Sequence, residues 1–214
     1  MRISAITLTP CFLLVACSST PATDGPSFAS VRERLTAEPT RLFIDSSPGI
    51  GTLEARRWSS TDGWIDGIAP VALNNGELIA RIDAAGKLVV QQFDFKVDAI
   101  DLPGTLIGSP LQLRDVRVTI ASASPAAIVW TSENEGTAQV SIELTLSWSL
   151  SLNGNLTPLG AQKLAPMPMD IAIAGGGDHV DATLGLHAQG TLWSWAELLE
   201  LTKVDLTIAA ATVD

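Results

Sequence analysis

Residues able to do acid–base, nucleophilic or metal chemistry are few in this chain, and they are scattered. Only two histidines occur, His179 and His187. They sit eight residues apart in a segment that alternates apolar and polar residues. Such spacing puts both on one strand face with Asp181, but about 26 Å from each other at roughly 3.3 Å per residue. One metal ion cannot bridge them. Asp178, His179 and Asp181 form a more compact set beside Gly175-Gly176-Gly177. Two carboxylates and an imidazole offer donors for a hard or borderline cation, and these three are the metal candidates. The competing reading is a glycine-rich hairpin turn with solvated polar residues, and no cofactor is implied.

Other sets fail on spacing. Asp62-Gly63-Trp64-Ile65-Asp66-Gly67 has the look of a calcium loop, but Trp64 and Leu73 stand where an EF-hand needs oxygen ligands. Two successive Asp-Gly turns beside a strand edge explain it better. Glu133 and Glu135 are paired carboxylates inside the turn-like Ser-Glu-Asn-Glu-Gly, where a solvated loop is expected. The chain holds no Gly-x-Ser-x-Gly elbow, no Ser-x-x-Lys motif and no phosphate-cradling glycine loop. The sequence therefore names no catalytic residue. Among the aromatics there are six tryptophans and no tyrosine. Trp130 and Trp148 fall on apolar strand faces, whereas Trp58, Trp64, Trp193 and Trp195 fall near strand ends or turns, at the rim of a pocket or a contact surface.

The cysteines point elsewhere. Arg2 precedes a largely apolar stretch from Ile3 to Ala16, fourteen residues long. That is too short for a membrane-spanning helix, which takes roughly 20 residues, and a basic start, an apolar core and small residues at the end describe a secretory signal. Leu14-Val15-Ala16-Cys17 resembles the lipobox of bacterial lipoproteins. The resemblance implies cleavage before Cys17 and acylation of that cysteine, with palmitate as a typical chain. One acyl chain anchors marginally and two or more anchor stably. Ser18 and Ser19 follow Cys17 with no aspartate directly after it, which by the same resemblance favours the outer membrane, on either face. The resemblance covers the leader alone.

Residues 1–16 then form the signal peptide, 17–26 the lipidated cysteine and a polar Pro- and Gly-containing tether, and 27–214 one domain. With Cys11 discarded and Cys17 acylated, the mature chain keeps no free thiol, which removes disulfides, thiol catalysis and cysteine-based zinc sites. Losing Arg2 takes the formal charge from −10 to −11. That sign repels nucleic acid.

The elements that must position any site are mostly strands. Phe28, Val31 and Leu35 recur at helical spacing, which predicts a helix over Ser27–Glu38, capped by Ser27 and stopped by Pro39. Such a helix packs across a sheet or plugs one end of a barrel. From about Leu53 the period is two. Val140, Ile142, Leu144, Leu146, Trp148, Leu150 and Leu152 alternate with polar residues without a break, and Asn153-Gly154 supplies a type I′ hairpin turn. Further strands are expected at Leu78–Ile82, Val89–Ile100, Leu111–Ile120 with a bulge at Arg114-Asp115, Ile128–Trp130, Met167–Ile173, Val180–Leu192 and Val204–Ala210. Trp193–Leu201 admits a short helix.

The fold class expected is all-β: an antiparallel meander of about 8–10 strands with one N-terminal helix, its sheet either curved and barrel-like or folded into a sandwich. Three functions remain open on the sequence. One is a non-enzymatic envelope lipoprotein that binds a lipid or another hydrophobic small molecule. Another is a structural or interaction scaffold of the envelope with a solid core, and the third a hydrolase or metal-dependent enzyme. The first expects an apolar void of several hundred Å³.

Overall fold

The computed structural model describes residues 27–106, 109–195 and 198–213. Its helix, α1, spans Val31–Ala37 and is shorter than the periodicity predicts. Ser30, not Ser27, is the N-cap. Its hydroxyl accepts from the Glu33 amide while Glu33 Oε2 accepts from the Ala29 amide at 2.7 Å. This reciprocal arrangement satisfies donors that a helix start leaves open, and it fixes the first turn three residues later than expected. Val31 and Leu35 are buried as the spacing requires.

The strands are β1 (Thr40–Ile44), β2 (Ser47–Ser59), β3 (Gly63–Ile82), β4 (Lys87–Val97), β5 (Ile100–Leu106), β6 (Ser109–Ala123), β7 (Ala126–Ala127), β8 (Val129–Ser132), β9 (Glu135–Leu152), β10 (Asn155–Lys163), β11 (Met167–Gly175), β12 (Val180–Trp195) and β13 (Leu199–Ala211). Every pairing is antiparallel. β2, β3, β4, β6, β9, β11, β12 and β13 each pair with the next in chain order, and β13 returns to β2. The meander thus closes a ring. Alternation decides which face is inside. In β9 the apolar residues from Ala138 to Leu150 are buried while their polar neighbours face outward. This is the reverse of the outward-apolar pattern of membrane-spanning barrels. Among the described residues no helix is long and apolar enough to cross a membrane.

Several local expectations are met at the backbone. Asn153 and Gly154 both take positive φ, 53° and 77°, as a type I′ turn demands. Asp115 also has positive φ, and the β6–β9 register slips between Arg114 and Arg117, so the bulge is real. Two expectations fail. Asp66-Gly67 is no turn: it lies inside β3, paired with Arg56 and Ala55, so only Ser60–Asp62 reverses the chain there. The admitted helix over Trp193–Leu201 is replaced by strand on both sides of residues 196–198, because Leu199 and Leu201 bury their side chains in the interior by alternation.

The ring is not uniform along its length. At one end, β1 joins β3 and meets β13, β3 pairs with β4, and β9, β11 and β12 are in continuous register. Here β7 extends the edge of β4 and β8 that of β9, and α1 covers the opening. The Arg32 amide donates to the Glu133 carbonyl and the Val31 amide to Asn134 Oδ1, both at 3.1 Å. Arg34 Nη1 donates to the Gly177 and Asp178 carbonyls. A Cβ at Gly177 would stand 1.6 Å from the Phe28 carbonyl oxygen, so only glycine lets the chain leading into the helix pass. At the other end the wall parts. β3, β2, β13 and β12 form one four-stranded layer, and β5, β6, β9 and β10 form another. No ladder joins β5 to β3 or β10 to β12 among the described residues. Barrel and sandwich, the two closures left open by the sequence, both occur: a barrel beside the helix opens into a sandwich at the far end.

Candidate functional site

Alternation puts only apolar side chains between the two layers, and that is where the main interior cavity lies. It is lined from one layer by Leu53, Leu192 and Leu201 and from the other by Leu113, Leu146 and Trp148, among others, all apolar. Its volume is about 70 Å³. A bound chain was expected to need several hundred Å³, so the void is smaller than the ligand reading requires of a rigid site. A second void beneath the helix, walled by Leu35, Leu78, Leu88 and Ile171, measures about 10 Å³.

Polar groups near the cavity between the layers are few. Trp148 is 4% exposed, and its indole N–H meets no acceptor. It packs edge-on against Trp193, centroids 4.6 Å apart and planes at 70°. Trp193, on β12, thereby reaches across to β9 beside the seam between β10 and β12, which share no ladder among the described residues. Register slips flank that seam, between Pro158 and Gly160 on β10 and between Gln189 and Trp193 on β12. Among the described residues β10 pairs with β9 alone, and it is exposed or half-exposed along its whole length, with Leu156 at 51%. Toward the far end, Arg57 Nε is also buried without an acceptor.

The outer wall carries paired charges. Arg56 Nε meets Glu200 at 2.6 Å, and its guanidinium lies over Trp64 at 4.8 Å. Trp64 in turn packs edge-on against Trp58. Lys203 Nζ meets Glu54 at 3.0 Å, and that hydrogen bond, with the carboxylate's charge, raises the Lys203 ammonium above its ordinary pKa. Arg117 is raised in the same way by Asp94. Exposed pairs of this kind contribute little each.

The residues singled out from sequence are dispersed. Cys17 lies outside the described residues. His179 Nε2 meets Asp181 Oδ1 at 3.2 Å, while the Asp178 main chain turns to Arg34. Among the described residues, no group of three or more His, Cys, Asp or Glu side chains is placed to hold a metal ion. His187 Nδ1 meets Asp205 Oδ1 at 2.8 Å on the outer wall, away from His179. Glu133 is not merely solvated: it anchors α1 through Arg32 at 3.1 Å. Trp130 supports the same contact, with Arg32 over its ring at 5.7 Å. Trp58 and Trp64 lie on the outer wall at the sandwich end, and Trp193 packs on Trp148. Arg57 escaped the sequence reading, because its place inside the wall depends on the register of β2 against β13. The one available signal was its parity with Leu53 and Ala55. No protein-family model matches the chain, and no curated protein matches it.

Proposed function

We propose that this is a bacterial envelope lipoprotein, anchored through acyl chains on Cys17, that is not an enzyme and that binds a lipid or other hydrophobic small molecule between its two β layers. The supporting observation is a cavity with purely apolar walls, set at the end of the domain away from the helix and bordered by an unpaired seam. Since Ser27 leads directly into α1, the tether reaches the domain at its plugged end, and the cavity would face away from the membrane that holds the lipid. At about 70 Å³ the cavity has room for only a few methylene groups, so binding requires the layers to part along the β10–β12 seam.

The test is extraction of the full-length, detergent-solubilised protein and mass spectrometry of the organic phase, together with titration by the neutral fluorophore N-phenyl-1-naphthylamine. A co-purifying apolar compound or saturable fluorescence is expected. Neither would leave the second reading, a scaffold with a solid core, which the small volume favours. Anchoring is tested separately: Cys17→Ser should move the protein from the membrane fraction to the soluble one, and unchanged fractionation would refute the lipid anchor.

A further inference from the structure

Resting on the ligand reading above, we infer that the molecule bound between the layers is a single-chain amphiphile with an anionic head, and that Arg57 receives that head. Arg57 is directly paired with Leu199 on β13 and with Ile65 on β3. Residues directly opposite in an antiparallel ladder share a face. Leu199 is 1% exposed in the interior, so Arg57 turns inward with it. Ala55, two residues earlier, pairs with Leu201, and Leu201 and Leu53 both line the cavity. Arg57 therefore stands one rung beyond the apolar walls, on the side of the open end.

An inward arginine at that rung needs an explanation. Arg57 is half-buried, and a guanidinium whose Nε is withdrawn from water gains from a partner. Arg56, Arg114 and Arg117 all have polar side-chain partners nearby. Arg57 has no hydrogen bond or ion pair among the described residues, and its Nε is buried. Its planar fork suits a carboxylate or phosphate held by two parallel N–H bonds. A second unused donor lies nearby. Trp193 shares a rung with Leu201 and Ala55, and the Trp148 indole it touches keeps a buried N–H without an acceptor. An apolar chamber with a fork donor one rung beyond its wall fits a molecule that is hydrocarbon at one end and anionic oxygen at the other. Neutral apolar molecules would leave both donors unmet. The outward charges beside Arg57 do not compete, since Arg56 and Glu200 neutralise each other.

The experiment measures displacement of N-phenyl-1-naphthylamine from the full-length protein by dodecanoate, dodecyl phosphate and methyl dodecanoate. At least one anion should bind roughly tenfold or more tightly than the ester, as expected for a charge-assisted pair against a neutral contact, and comparing the two anions identifies the head. Arg57→Gln should abolish the difference without weakening the ester, and Arg57→Lys should keep part of it. Equal displacement by anion and ester in the unaltered protein overturns the inference while leaving the ligand reading intact. A parallel loss for both in Arg57→Gln also overturns it, since the arginine would then be structural. If neither the fluorophore nor any amphiphile binds, both proposals fall. The comparison of anion with ester needs no variant, so a misfolded Arg57→Gln does not spoil the test.

Discussion

The helix end and the far end of this domain are built from the same strands and the same alternation, yet they differ in closure. Beside α1, β1 joins β3 and β13, β7 extends the edge of β4 and β8 that of β9, the helix covers the opening, and the void beneath it is about 10 Å³. At the other end the strands separate into two layers, two pairs of edges lack partners, and the void is about 70 Å³. Buried polar atoms without a partner occur at both ends, Arg34 Nε and Thr40 Oγ1 beside the helix and Trp148 Nε1 and Arg57 Nε toward the far end, although Arg34 also gives its Nη1 to two carbonyls of the turn it closes. A ring of strands is therefore no guarantee of a uniform core. What closes the near end is a set of specific contacts that the far end lacks.

This contrast can be broken by substitution. Phe93 is fully buried beside Phe95, ring centroids 5.1 Å apart. Phe93→Ala should cost about 3–5 kcal/mol of unfolding free energy in denaturant titration, the usual range for a large core aromatic. Leu192→Ala, at the half-buried border of the far cavity, should cost less than half as much. Equal losses would mean that the far layer is packed as tightly as the near one.

A smaller effect sharpens the comparison along one continuous stretch of chain. β10 and β11 run along the same edge of β9, but only β11 has a second neighbour, β12. Native-state hydrogen exchange should release β10 amides roughly tenfold or more faster than those of β11, because segments with few buried contacts open locally at low cost. Similar protection would contradict a seam able to part. The smallest effect is expected at Leu156. Leu156→Asp on the exposed arm of β10 should change stability by no more than about 0.5 kcal/mol, within the usual range for surface positions, as read from the melting temperature. A larger loss would show that β10 packs against something.

Much of the architecture was legible from residue order. The run from Val140 to Leu152, the Asn153-Gly154 turn and the slip at Arg114-Asp115 each appear in the backbone where their residues place them. Local physics accounts for this. Alternation selects a face, and Asn-Gly tolerates positive φ. The segment from Ser47 to Ala72 was less readable. Its glycines, arginines and prolines interrupt the alternation, and pairing with β13 and β3 supplies the order that the pattern lacks.

By itself, then, the sequence determined a strand-rich chain with a greasy face, a helix near the start of the domain and an acidic balance, because period, charge and turn chemistry act over a few residues. Tertiary structure alone decided that the ring closes at one end and splits at the other. It also decided that the Trp148 N–H and Arg57 Nε find no acceptor among the described residues. Each of those outcomes depends on which strand lies beside which and in what register, and register between residues more than a hundred positions apart is set by packing, not by any local pattern.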